Sequence, residues 1–231
     1  MTEETYDART HRKRWEAGLE SEIAFWDEWI RTNGQAWPAD FRWRMNTSSA
    51  FQPHLATLLA GARGPRVRVL DVGAGPLTIL GKVLEAFDLE ITAIDPLAEA
   101  YGSLLAKYNV VAPIPTIPCE AEDLLSRFEE NSFDLVHARN CLDHSYDPVR
   151  AFRQMIAVLK HGHWVHAEHR INEGCSGAYQ GLHQWNFDIK NDHFIIWNQE
   201  ATMDMNVELR DIAEMHPRLH DGWVFVNLCK I

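Results

Sequence analysis

The chain has 231 residues, 46% of them hydrophobic, and its 33 acidic against 22 basic side chains give a formal net charge of −11. That length suits one α/β domain with a full core; the acidic balance argues against nucleic-acid partners, because the single basic cluster, Arg9 to Arg14, reads as a solvated helix face. No 18-residue apolar run or signal-peptide pattern points to a membrane, and four cysteines without CxxC spacing suggest neither zinc nor disulfides, but a reducing cytoplasm.

In chain order, Thr10 to Ile30 carries apolar residues near helical spacing, and the pattern predicts a helix ahead of the sheet with Trp15, Trp26 and Trp29 on its inner face. After breaks at Asn33-Gly34 and Pro38, a second short helix is expected from Pro53 to Ala60. Val67 to Pro76, VRVLDVGAGP, reads as a buried strand that ends in Asp71 and a glycine turn opening a helix. Strands then alternate with helical segments through His169, which predicts a parallel sheet with helices on both faces. Glu168 to Trp197 is too long and aromatic for a simple turn; Tyr179, His183, Gln184 and Trp185 suit a lid over a small ligand, or packing of the sheet edge. Phe194 to Trp197 and Trp223 to Leu228 suit late strands at an antiparallel edge. The expected organisation is one domain: a helical cap over 1–62, a cofactor-binding core over 63–170, and lid and late strands over 171–231.

Gly73 and Gly75 let the chain turn sharply and let a ligand approach the backbone. The turn lacks the GK[ST] of a P-loop and the third glycine of a dinucleotide fingerprint. Asp95 ends the next apolar run about twenty residues on, where a carboxylate can accept ribose hydroxyls. Ligands in open α/β sheets sit at the carboxyl ends of strands, which makes Asn140 the leading candidate for chemistry, with Asp143 and His144 beside it. Asn140 and Asp143 serve equally well as caps. Arg42 or Arg44 can pair with a ligand carboxylate, or lie on a solvated face. His163 and His169 fall on one side of their strand and His166 on the other, and no HExxH occurs, so no metal is expected; Asp143, His144, Glu168 and His169 are the nearest to a ligand set.

Four segments in order resemble the class I methyltransferases, which bind S-adenosylmethionine (SAM): DVGAGP, EITAIDP, CEAEDL from Cys119 to Leu124, and FDLVHARN from Phe133 to Asn140, together spanning roughly Arg66 to Arg170. The resemblance implies a Rossmann-like α/β fold with a mainly parallel seven-stranded sheet. It implies SAM contacts from Asp71, Gly73, Ala74, Gly75, Asp95, Pro96 and Arg139, with Glu120 facing the adenine amino group, Ala121 offering its N–H, and Arg44 near the methionine carboxylate. The sequence also resembles the azetidine-2-carboxylate synthases, which share this fold. That likeness carries roles beside the cofactor's amine to Asn140 and Tyr179. It implies that SAM alone is the substrate: its amino group attacks its own γ-carbon and expels methylthioadenosine. The alternative is N- or O-methyl transfer from SAM to a small molecule or sugar, which releases S-adenosylhomocysteine, with Asp143 or His144 assisting proton removal. A cofactor-sensing protein without catalysis is a third reading.

Overall fold

A computed structural model describes residues 7–231. Residues 1–6 of the expected cap lie outside the described part. Helix α1 (Ala8–Arg31) starts where the Asp7 carboxylate accepts the Arg9 N–H and the Thr10 hydroxyl. Its last turns bury Trp29 and Ile30 with Phe41 of α2 (Pro38–Met45), Leu77, and Leu105 of α4 (Ala98–Lys107). The cap is thereby packed into the core at that end. Among the described residues no helix is long and apolar enough to cross a membrane.

The main sheet has seven strands: β1 (Arg66–Val72), β2 (Asp88–Ile94), β3 (Thr116–Ile117), β4 (Phe133–Arg139), β5 (Leu159–Arg170), β9 (Ala213–His220) and β10 (Trp223–Lys230), in the order β3-β2-β1-β4-β5-β10-β9. Strands β1 to β5 pair in parallel; β10 runs antiparallel between β5 and β9. The chain works outward from β1 to one edge and then returns to its other side, so the β1/β4 boundary is the topological switch point.

Period-two alternation sorts β1 onto two cores. Leu70 and Val72 meet Phe152 and Met155 of α5 (Pro148–Val158), whereas Val67 and Val69 meet Leu55 of α3 (Pro53–Leu58) and Leu59. Helices thus cover both faces, as the alternation predicts.

Two expectations need correction. The glycine turn does not open a helix, because the backbone of residues 77–83 bonds outward to the segment before β1. Lys82 N and Val83 N donate to Ser49 O, Phe51 N donates to Val83 O, and Ile79 O accepts from Trp43 Nε1 and Gln52 Nε2. Gly81 makes this docking possible, since a Cβ there would fall 1.9 Å from Ala50 O. The run Phe194 to Trp197 is a strand, but not of the main sheet: β7 (His193–Trp197) pairs antiparallel with β6 (Asn186–Lys190) and β8 (Thr202–Asp204) in a separate three-stranded sheet. Phe187 and Phe194 anchor that sheet on the α5 core. Short helices α6 (Glu173–Ser176) and α7 (Met205–Glu208) lie in its connections.

Candidate cofactor cleft and adjoining cavity

A cavity of about 530 Å³ opens over the carboxyl ends of β1, β2 and β4, a size that fits a small-molecule ligand. Its floor is the glycine turn. Gly73 and Gly75 both adopt the left-handed region (φ 64° and 65°), and the Gly75 N–H donates to Asp95 Oδ2 at 3.1 Å, tying the turn to the end of β2. Asp95 Oδ1 accepts from Leu97 N at 2.9 Å. Burial pushes this carboxyl up to about 7 against the pull of those two N–H groups. Each of its oxygens retains a second lone pair for a ligand hydroxyl.

Of the residues expected at the cofactor, Asp71, Gly73, Ala74, Gly75, Asp95, Pro96, Ala121, Arg139 and Arg44 all line this cleft. Asp71 is a structural anchor within it: Oδ1 pairs with His137 Nδ1 at 2.7 Å, and Oδ2 accepts the Thr78 hydroxyl. The pairing continues across the sheet, with His137 Nε2 at 3.7 Å from Glu168 Oε1, and that oxygen accepting from Arg139 at 3.0 Å. Burial lowers the His137 pKa, but Asp71 and Glu168 outweigh it and hold the ring up to about 9. The guanidinium of Arg44 donates to Asp40 and to Leu77 O and lies over the rings of Trp26 and Trp29.

Glu120 is elsewhere. Its carboxylate accepts two hydrogen bonds from Arg12 of α1, at 3.0 and 3.2 Å, and one from Tyr146 Oη at 2.6 Å, outside the cleft. This pairing anchors the amino end of the cap and turns Glu120 away from the cleft, where the next acidic side chain, Glu122, lines the wall with Ala121. The cap supplies Trp15, Glu22, Trp26 and Trp29 as the opposite wall.

Asn140 sits at the rim with φ 47°; its Oδ1 accepts from Arg170 N at 3.0 Å, which fixes the side chain across the ends of β4 and β5. Tyr179 lies in a second cavity, also of about 530 Å³, between α1, the segment 179–184 and residues 198–200. Its hydroxyl accepts from Asn186 Nδ2 at 2.8 Å. Asn140 and Tyr179 therefore line different cavities. Asp143 is buried beneath the boundary between the two, with Oδ2 at 2.6 Å from His183 Nδ1 and 3.5 Å from His144 Nε2. Burial alone raises its pKa, and the imidazoles of His144 and His183 reverse that, holding it down to about 2. His144 faces the first cavity and His183 both.

The tryptophans that the sequence sets on the inner face of α1 line the cleft, but sequence reasoning did not find Glu22, Glu122 or the row Asp71–His137–Glu168. The spacing of Trp15, Glu22, Trp26 and Trp29 along one helical face carried a signal for Glu22. Nothing local signals the row, whose members come from three strands.

Residues 70–166 match the model of the methyltransferase domain family. No curated protein matches the chain in sequence. Among solved structures, the chain is similar to the 1,6-didemethyltoxoflavin-N1-methyltransferase of Burkholderia thailandensis, at 16% identity over 100% of this chain and 93% of that one (TM-score 0.50). It is similar to an O-methyltransferase family protein of the same organism, at 13% over 95% and 62% (TM-score 0.51), and to the phosphoethanolamine N-methyltransferase 2 of Haemonchus contortus, at 17% over 76% and 51% (TM-score 0.51). The chain spans under two thirds of those last two proteins. At such identity these likenesses are of fold. The sheet order and the matched segment, 97 of the 231 residues, are those of a methyltransferase-like α/β fold.

Proposed function

We propose that this protein transfers the methyl group of SAM to a small polar molecule or sugar, through a nitrogen or oxygen acceptor, and releases S-adenosylhomocysteine. The observation that carries the reading is the second cavity. It adjoins the cofactor cleft at His183, and Arg14, Ser21, Gln184, Asn198 and Glu200 give it polar walls suited to a hydroxylated or amine-bearing ligand.

The residues of the first cavity suit SAM in kind. The glycine turn gives close backbone approach, Asp95 offers acceptors for ribose hydroxyls, and Arg44 and Arg139 bring positive charge near a carboxylate. Trp15 and Trp26 offer aromatic faces to a sulfonium, which are worth about 0.5–2 kcal/mol depending on desolvation. When bound, SAM supplies an electrophilic methyl group; the protein's part is to hold it, align the acceptor and exclude water.

Cyclisation of SAM is the second reading. It needs no acceptor cavity, and the two residues assigned to the amine, Asn140 and Tyr179, line different cavities. Mass spectrometry of the purified protein with SAM, against a protein-free control, separates the two. The expected result is intact SAM in the absence of an acceptor and S-adenosylhomocysteine with candidate amines, phenols or sugars. Enzyme-dependent methylthioadenosine with azetidine-2-carboxylate would overturn methyl transfer.

A further inference from the structure

We propose that Asp143, His144 and His183 form a binding site for a transition-metal dication of the zinc or cobalt kind, placed at the boundary between the candidate cofactor cleft and the adjoining cavity. The three side chains bring one ligand atom each to a common point. His183 Nδ1 lies 3.2 Å from His144 Nε2 and 2.6 Å from Asp143 Oδ2, and His144 Nε2 lies 3.5 Å from the same oxygen.

The short bond between His183 and Asp143 leaves His144 Nε2 crowded against the same Nδ1. A ring nitrogen carries at most one proton in its plane, yet both His144 Nε2 and Asp143 Oδ2 point at the single Nδ1 of His183. Either one N–H is shared between two acceptors, or a carboxylate oxygen faces a nitrogen lone pair, or two N–H donors meet on Oδ2 with their nitrogens only 3.2 Å apart. One cation accepts all three lone pairs. At ordinary zinc–nitrogen and zinc–oxygen lengths, neighbouring tetrahedral ligands stand about 3.3 Å apart. Two of the three separations meet that value, and the third opens by about 0.7 Å on the same geometry once the shared proton leaves. His183 has the freedom to move, since its side chain is 31% exposed on the covering segment.

The surroundings fit a ligand carboxylate. Asp143 Oδ1, the oxygen not aimed at His183, is buried without a hydrogen-bond partner, and His169 Nδ1 lies 4.0 Å from it. A small approach lets that imidazole support the carboxylate from behind, the usual arrangement around metal ligands. Two imidazoles and one carboxylate select borderline dications over magnesium or calcium, which prefer all-oxygen shells. The fourth position would open toward the two cavities that His144 and His183 line. Its use, to bind an acceptor oxygen and ease loss of its proton, rests on the methyl-transfer reading; the binding does not.

The test is titration of the metal-stripped, untagged protein with Co²⁺, followed by visible absorption and X-ray absorption spectroscopy. One equivalent should give ligand-field bands and a shell containing two imidazoles and no sulfur. Zn²⁺ should displace the cobalt. His183→Ala and His144→Ala, checked for native circular dichroism, should each weaken binding by more than about 100-fold, beyond the loss typical of supporting residues. His54→Ala, which disrupts a separate His54, His166 and Glu168 grouping behind the sheet, should leave the cobalt spectrum unchanged. No stoichiometric binding, a shell with one imidazole or none, or loss of the signal in His54→Ala would overturn the site. Because neither SAM nor an acceptor is present, failure here leaves the methyl-transfer reading standing.

Discussion

Trp26 of α1 lies so close over Gly75 that a Cβ on the glycine would fall 2.9 Å from its indole ring. The cap and the glycine turn are thus two walls of one cleft. Gly75→Ala combines this collision with a left-handed φ of 65°. The expected cost is at least about 1–2 kcal/mol of folding stability from the backbone alone. Calorimetric SAM affinity should fall with it; unchanged affinity would show that SAM does not approach the turn.

Asp95→Ala removes the acceptor of the Gly75 and Leu97 N–H groups along with the expected ribose contact. SAM binding should weaken by about 1.5–3 kcal/mol for each charge-assisted hydrogen bond lost. The carboxyl, pushed up to about 7 by burial, is half ionised near neutrality. Since hydroxyls donate better to a carboxylate, SAM affinity should climb between roughly pH 6 and 8, the span about that value. In Asp95→Asn that climb should vanish, and its persistence would assign the titration to another group.

The buried pair of His137 and Asp71 predicts an alkaline loss of stability. The folded-state pKa of His137, about 9, lies above its unfolded value of about 6.5. The contribution is therefore fully present below pH 6.5 or so and is lost as pH rises through about 9. Denaturant midpoints measured across that window should decline in the wild type. For His137→Gln the unfolding free energy from the same titrations should be lower by about 3–5 kcal/mol at neutral pH, the cost of breaking a buried pair, and flatter with pH.

Arg12 tests the amino-terminal clasp. Its guanidinium grips Glu120 twice and donates to Tyr146 Oη, but it is 43% exposed, so Arg12→Ala should cost no more than about 1 kcal/mol globally. Its effect should be local: faster proteolysis and hydrogen exchange in the first turns of α1, and faster SAM release. Exchange rates equal to the wild type would mean that His11, held against Gln184 and Trp185, secures this end by itself.

Tyr179→Ala distinguishes the two cavities kinetically. SAM affinity should stay within about twofold, while KM for the acceptor rises by roughly tenfold, the equivalent of one lost hydrogen-bonding or packing contact. A collapse of SAM affinity instead would place the ring at the cofactor.

The glycine turn, the acid just after β2 and the strand leading to Asn140 were legible because each is local. Apolar runs of strand length fix the element, and glycines at positions of positive φ fix the turn between neighbours in sequence. The tryptophan face of α1 was legible for the same reason.

The remaining features depend on contacts between distant segments. Whether residues 77–83 form a helix was decided by the backbone partners that Ser49 and Val83 find in each other, more than thirty residues apart. Glu120 was drawn from the cleft by Arg12, 108 positions away, and Tyr179 was assigned to its own cavity by the fold of the segment around it. The row Asp71–His137–Glu168 and the convergence of His183 on Asp143 and His144 likewise join residues 31 to 97 positions apart through parallel strands and a covering segment. The sequence alone determined the α/β alternation and the glycine turn, because hydrophobic period and backbone permissiveness are properties of a short window. Which polar side chains face the cavities was settled only in the tertiary structure, because a buried charge goes to whichever partner the packed chain brings within hydrogen-bond reach.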